Sequence, residues 1–365
     1  MNAMEYADRV RGAISAGALA DALGAVVEKD TLATIQKEFD ASGLQGFAHV
    51  RSVRPSAFTG VDGRLPFTED TQLTLYTMDA LIELIGWANE GVAADDAACL
   101  WLAYLRWYQG QTGQLPEGIP VIPGKFLDQQ PGMAVNRGPG KATLAGLASG
   151  EQGHPKKPAN PEATGSGTVM RSLPFGLVPY VPVETMISMA AKGAALTHGH
   201  PDSVAAPMLL TAGIRAIHEY EIPVAEAFTE RYLAPAISQL PAGQHAHQKL
   251  VHAHSLGVVH RDSGQVLVGD ALVEEFGTGQ FAADALAMSV YLAVTAGPRP
   301  TQADFTKAVL RAVNNSGDTD TVGALTGQIL GTAGGIEVIP AGWLAELEQP
   351  DVVNEMLRQW LQTMR

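Results

Sequence analysis

The stretch "NNSGDTDTVGALTGQILG", Asn314 to Gly331, has two halves that ask different things of the chain. Its second half repeats glycine at every fourth position, Gly323, Gly327 and Gly331. At 3.6 residues per turn these lie along one stripe of a helix, and a glycine stripe lets a second helix approach closely. Each glycine costs about 1 kcal/mol of helix propensity relative to alanine. A helix kept against that cost is expected to be a tightly packed, central one with a rigidly held N-terminus. The first half, Ser316 to Thr321, places hydroxyls and carboxylates at that terminus.

Working outward, most periodic segments are helical. After "TEDT", the residues Leu73, Tyr76, Ala80, Leu81 and Leu84 recur at the three- and four-residue spacing of one buried face. Segments 184–196, 203–218, 282–294 and 305–313 read the same way, rich in Ala, Leu and Met. No series of alternating strands appears, so the expected fold is all-α, a compact helical bundle. From about residue 110 to 167 the chain is dense in Gly and Pro, as in "LPEGIPVIPG" and "GHPKKPANPEATGSG", which marks turns and long loops. Similar helical composition resumes on both sides, so this reads as a loop excursion within one domain spanning 1–365.

Composition narrows the function classes. Hydrophobic residues at 46% and charged residues at 17% describe a compact globular protein. A formal charge of −14 argues against a general nucleic-acid binder, which needs clustered Lys and Arg, and makes cations the natural partners. No apolar run reaches the roughly 18 residues that cross a bilayer. The N-terminal "MNAMEYADRVRGAISAG" lacks a cleavable signal pattern, and the lone Cys99 fits a reducing compartment, so a cytoplasmic location is expected.

Two oxygen-rich clusters stand at helix starts: "FTEDTQ", Phe67 to Gln72, and "SGDTDT", Ser316 to Thr321. Either alone is explained by capping, since Ser, Thr and Asp satisfy the free N–H groups of a first turn. Capping needs one oxygen, however, and each cluster supplies several. Hard cations such as Mg²⁺ and Mn²⁺ take carboxylate, hydroxyl and water oxygens, and two facing clusters could hold two ions about 4 Å apart. "RGPG", Arg137 to Gly140, and "GSGTVMR", Gly165 to Arg171, have glycines that let backbone N–H groups reach a diphosphate, although such loops are more often plain turns. "THGHP", Thr197 to Pro201, follows an alanine-rich helix, where a histidine is commonly a C-terminal cap. In "HAHQKLVHAHS", His245 and His252 could share a helical face and bind zinc, or lie on a solvated face.

Taken in order, these motifs resemble the ADP-ribosylglycohydrolase family. The resemblance runs nearly end to end, through "GAISAGALADALGAVVE" (Gly12 to Glu28), "FTEDTQLTLYTMDAL", "NRGPGKATLAGL", "GSGTVMRSLPFGL", "LTHGHP", "GTGQFAADALAMSVYLA" and "NNSGDTDTVGALTGQILGTAGGIEVIPAGWL". It implies a single-domain all-α fold, an orthogonal helical bundle, with a binuclear Mg²⁺ or Mn²⁺ site. By position, Thr68, Glu69, Asp70, Asp318, Asp320 and Thr321 would be the metal ligands. The backbone around Gly138, Gly140, Ser166 and Gly167 would cradle a diphosphate, with Thr168, Met170 and His198 beside the ADP-ribose. Gly277, Thr278 and Gly279 would border the nucleoside, and Glu28 would lie over the metals and influence substrate access or water activation. Glu28, Glu69, Asp70 and Asp318 would be the catalytic carboxylates.

The activity implied is removal of ADP-ribose from a modified protein side chain, arginine foremost, or from a related small ADP-ribosyl conjugate. No membrane is implied, and no nucleic acid other than an ADP-ribosylated one. The alternative is a non-catalytic member that binds ADP-ribose or serves a structural role. Three positions depart from the family pattern: Glu69 stands where an aspartate is usual, Ala20 replaces a glycine before Asp21, and Ser166 occupies an Asn or Cys position.

Overall fold

The computed structural model describes residues 3–364. Among them the secondary structure is helical, with only two isolated β-bridges, His154 to Lys157 and Gly165 to Phe281. The ten longest helices are α1 (Ala3–Ala25), α2 (Glu69–Asn89), α3 (Asp96–Thr112), α4 (Val183–Ala195), α5 (Pro201–Tyr220), α6 (Ala246–Ser263), α7 (Ala282–Thr295), α8 (Gln302–Val313), α9 (Thr319–Gly334) and α10 (Pro350–Thr363). The helical segments expected from periodicity at 184–196, 203–218, 282–294 and 305–313 are α4, α5, α7 and α8.

The glycine stripe explains the centre of the molecule. Every residue of α9 from Thr319 to Thr332 is buried, and so is every residue of α1 from Gly12 to Gly24. The two helices lie against each other so closely that a Cβ on Gly327 or Gly331 would collide with the carbonyl oxygens of Ala16 and Gly12. One on Gly323 would lie 2.8 Å from the carbonyl oxygen of Ala20. Ala20 fits on this seam because the glycines opposite leave room for its methyl group. The remaining pairs, α2 with α3, α4 with α5 and α6 with α7, pack around this centre, with α7 and α8 flanking α9. The main apolar cluster draws on side chains from Tyr6 to Met364.

The Gly/Pro-rich excursion is anchored rather than loose. Leu127, Met133 and Leu147 are buried, and the Gln72 side-chain amide of α2 donates to the carbonyls of Gly132 (2.7 Å) and Val135 (3.1 Å). A short helix, Lys141–Ala148, interrupts the excursion directly after "RGPG". This delivers the 137–143 segment to the start of α2.

Candidate functional site

The starts of α2 and α9 meet over the C-terminal end of α1. Around them is a cleft of about 270 Å³, whose walls include Glu28, Thr68, Glu69, Asp70, Asp318, Asp320 and Thr321 on one side and Arg137, Gly138, Gly140, Lys141 and Thr143 on the other. Gly165, Ser166, Gly167, Met170, His198 and Gln280 complete it.

The capping explanation can be tested atom by atom. At α2, Thr68 is the N-cap and its hydroxyl accepts from the Asp70 N–H at 3.2 Å. Asp21, fully buried within α1, accepts from the Thr68 N–H (3.0 Å), the Thr71 N–H (3.2 Å) and the Thr71 hydroxyl (2.5 Å). The free N–H groups of this start are thus served by Thr68 and Asp21, and Glu69 and Asp70 are surplus. At α9, Asp318 occupies the N-cap position but makes no capping bond. Its carboxylate instead accepts from the Ser166 hydroxyl at 3.2 Å.

Packing these acids together without cations is electrostatically costly. Burial pushes the Asp21 carboxyl up to about 7, with the Asp320 charge adding to it. Glu69, Asp70 and Asp320 are all raised well above the carboxylate range, first by burial and then by their acidic neighbours. Asp318 is raised as well, chiefly by burial, and shares a hydrogen bond with Asp320. Asp70 Oδ2 and Thr143 Oγ1 are buried without any hydrogen-bond partner. Orphaned acceptors are rare in folded proteins and call for an explanation.

A divalent cation fits this donor set: carboxylates that repel one another, an orphaned oxygen and the Thr68 and Thr321 hydroxyls are the hard ligands that Mg²⁺ and Mn²⁺ prefer. Among the described residues, no three His, Cys, Asp or Glu side chains are already arranged as the ligands of one ion. The site therefore matches a cation in chemistry without a preformed cage of three such side chains around one ion. Glu69 reaches across the cleft: a Cβ on Gly138 would lie 3.8 Å from Glu69 Oε2.

The opposite wall has the opposite polarity. Gly138 adopts φ +80°, and Gly140 leaves the start of the Lys141–Ala148 helix without a side-chain cap. Lys141, exposed at the rim, makes no ion pair among the described residues. Uncapped N–H groups beside a free ammonium make an anion site. Arg137 is tied elsewhere. Its guanidinium forks onto the buried Glu348 (2.5 and 2.7 Å) and donates to the Phe67 carbonyl at 2.8 Å. Glu348 also accepts from the Phe67 N–H at 3.2 Å, so one carboxylate locks the 137–140 loop to the residue before Thr68.

His198 is neutral. Burial, then the nearby Arg171 guanidinium, pushes it down to about 3. Arg171 donates to Thr197 Oγ1 at 2.7 Å, and that hydroxyl shares a hydrogen bond with His198 Nδ1 at 2.8 Å. The other ring nitrogen, Nε2, faces the cleft beside Gly165, where a Cβ would lie 3.3 Å from it.

Some expected residues stand outside the walls. Thr168 is buried and spends its hydroxyl on the Ser203 carbonyl at 2.6 Å. The 277–279 loop is not among the residues that line the cleft and lies against the acids: the Thr278 carbonyl accepts from the Asp318 N–H at 2.7 Å, and Gly277 and Gly279 have φ +97° and +83°. Gln280 lines the cleft in their place. His245 is the N-cap residue of α6 and His252 bonds Glu275 at 2.6 Å, and neither belongs to a group of three candidate metal ligands among the described residues. Sequence reasoning passed over Asp21, Thr143, Lys141 and Glu348 as parts of the site. Asp21 had a visible signal, an acid inside the small apolar run "GALADALG".

Comparison with known proteins agrees with this picture. The sequence model of a family described as ADP-ribosylglycohydrolase matches residues 2–365. The ADP-ribosyl-(dinitrogen reductase) glycohydrolase of Rhodospirillum rubrum is 42% identical over 55 residues, 15% of this chain and 18% of that protein, so the match spans less than a fifth of that relative's length. A solved structure described as an ADP-ribosylglycohydrolase-related protein complex shares the fold, with a TM-score of 0.59 over 99% of each chain at 24% identity.

Proposed function

Since the chain belongs to the ADP-ribosylglycohydrolase family, we propose that its cleft hydrolyses the glycosidic bond of an ADP-ribosyl conjugate, with ADP-ribosylarginine in a protein as the foremost substrate. The observation that carries this reading is the polarity of the cleft. Repelling carboxylates face an uncapped helix start and a free lysine, which suits a ligand with a diol at one end and a diphosphate a short distance away.

Thr68, Glu69, Asp70, Asp318, Asp320 and Thr321 would hold two divalent cations, Mg²⁺ or Mn²⁺. When bound, these supply Lewis-acid polarisation of ribose and water oxygens. The protein's own groups do the rest. Lys141 and the N–H groups after Gly140 take the diphosphate, and the glycine at 138 keeps side chains out of its way. His198, with Nε2 toward the cleft, offers the ligand a hydrogen bond without carrying charge. Asp318, fixed by Ser166 and by its backbone bond to Thr278, accepts a proton from the attacking water as the anomeric carbon gains positive character. Glu28, exposed at the end of the turn after α1, stands over the mouth and governs access. An arginine acceptor is already protonated as a guanidinium, so breaking the C–N bond releases a neutral guanidine without a proton from the site, whereas a serine oxygen would need an acid to protonate it as it leaves.

The test is release of free ADP-ribose from an ADP-ribosylarginine protein in Mg²⁺ and in Mn²⁺, and its loss in EDTA. Tight binding of ADP-ribose with no release from arginine- or serine-linked substrates would replace the hydrolase reading by the non-catalytic one.

A further inference from the structure

A second cavity, of about 440 Å³, backs onto the turns that form the cleft, with Leu32, Gln36, Val268, Lys307, Arg311 and Asn314 among its walls. No carboxylate lines it, in a chain with a formal charge of −14. Lys307 and Arg311 lie one turn apart on α8, and neither is held in an ion pair or a side-chain hydrogen bond among the described residues. The nearest acid on that helix, Asp304, is engaged by Thr301 in the capping box at its start.

The partition between the two cavities is thin and braced. Glu28 lines the cleft and Leu32 the cavity, while Asn314 lines the cavity and Asp318 the cleft. The Leu32 N–H donates to Ser316 Oγ at 2.8 Å, and Ser316 in turn bonds Asp270 through both its N–H (2.7 Å) and its hydroxyl (2.9 Å). The 28–32 and 314–318 turns are therefore one wall with a cation-binding face and a basic face.

We propose that the basic cavity docks an acidic segment of the protein whose modified side chain occupies the cleft, an inference that rests on the hydrolase reading above. A conjugate in the cleft must leave its acceptor chain lying over the rim. Four extended residues of that chain span roughly 13 Å, enough to carry a carboxylate from the cleft mouth across a wall only one turn thick. The cavity walls offer an ammonium and a guanidinium, and the guanidinium matches a carboxylate in a two-pronged geometry; the side-chain amides of Gln36, Gln45 and Asn314 bond the backbone and shape the walls. The net charge of −14 repels such a segment from the molecule as a whole, so this carboxylate-free cavity would set both its position and its direction. A small conjugate such as free ADP-ribosylarginine, lacking a flanking chain, does not cross this wall to the cavity.

Two synthetic peptides carrying one ADP-ribosylarginine, flanked by Asp and Glu in one and by Gln in the other, test this together with free ADP-ribosylarginine. The wild type should show a KM roughly tenfold lower for the acidic peptide, with similar kcat, and the advantage should fade as salt is raised. Lys307→Glu, an exposed substitution, should erase the preference and leave free ADP-ribosylarginine turnover unchanged; a Lys307→Gln/Arg311→Gln pair of unaltered melting temperature should do the same. Equal KM for the two peptides in the wild type overturns the proposal. So does inorganic phosphate that inhibits all three substrates alike through Lys307, which would make the cavity a small-anion site. Should the wild type hydrolyse none of the three, the cleft reading falls, and dissociation constants of the two peptides for wild type and Lys307→Glu decide the docking claim by the same preference.

Discussion

Helix α2 carries two sets of buried acids, and they are solved in opposite ways. Halfway along, Asp79 pairs with the Arg106 guanidinium and, at 3.3 Å, with Lys125. Arg106 reaches on to Asp128 at 3.1 Å, Tyr76 donates to the same Asp128 at 2.9 Å, and Lys125 also meets Glu83 at 2.7 Å. Every charge there has a partner. At the start of the same helix, Glu69 and Asp70 face Asp318 and Asp320 with no Lys or Arg paired to them among the described residues, and Asp70 Oδ2 has no hydrogen-bond partner. Acidity is common to both places, so it does not separate structure from function. Compensation does: a balanced network braces the fold, whereas an unbalanced one is held in place by the rest of the molecule for a ligand that brings the missing charge.

The comparison is broken most severely through its balanced half. Arg106→Met would leave Asp79 and Asp128 without their shared guanidinium in a site where the Arg106 side chain is 2% exposed. Removing one partner of a buried pair costs about 3–5 kcal/mol. Denaturant titration should show that loss, while turnover per folded molecule stays near wild type. A loss under about 1 kcal/mol would mean that the network is no more than incidental.

The unbalanced half should answer in the reverse sense. Asp320→Asn removes a charge that raises the Asp21, Glu69 and Asp70 carboxyls. The cation-free protein should therefore be no less stable than wild type. Turnover should fall by more than about a hundredfold, since even residues that only support metal ligands cost 10–100-fold. Melting curves with and without Mn²⁺ complete the check: wild type should gain stability on adding the ion and the variant should gain little. A cation-free Asp320→Asn protein that is markedly less stable would place this acid with the Asp79 kind.

How much of this was readable beforehand follows the range of the forces involved. The glycine stripe announced a tightly packed α9, because close approach constrains residues four apart on one helix, but it did not identify α1 as the partner. The oxygen clusters announced themselves because a helix start concentrates their residue types over a few positions. The excess over capping was visible by counting, and Thr68 doing the capping while Asp70 does not is its structural counterpart. The closures over long separations were not visible. Glu348 binds Arg137, 211 residues away, and nothing local to "ELEQP" distinguishes it from a surface glutamate. Thr168 and the 277–279 loop sit next to true wall residues in sequence, yet the chain turns away between them, so Ser166 and Gln280 face the cleft while Thr168 and Thr278 brace it from behind.

The smallest expected effect tests how finely the unbalanced half is tuned. Glu69 is the first residue of α2, and its carboxylate extends toward Gly138 on the anion-binding wall. An aspartate there would end one methylene nearer the helix start, closer to its own backbone and to Asp70. If Glu69 is a ligand, the longer side chain would give a divalent cation a looser fit, which Mg²⁺ would tolerate poorly because it demands near-ideal octahedral coordination. Mn²⁺, which accepts the same oxygen ligands, would suffer less. Wild-type turnover should accordingly be a few-fold faster with Mn²⁺ than with Mg²⁺, and Glu69→Asp should narrow that gap by improving the Mg²⁺ form rather than by harming the Mn²⁺ form. Steady-state rates of both proteins in both metals measure it. An unchanged ratio would remove Glu69 from the ligand set and leave it as a charge on the rim, opposite Gly138, acting on the diphosphate end of the cleft instead.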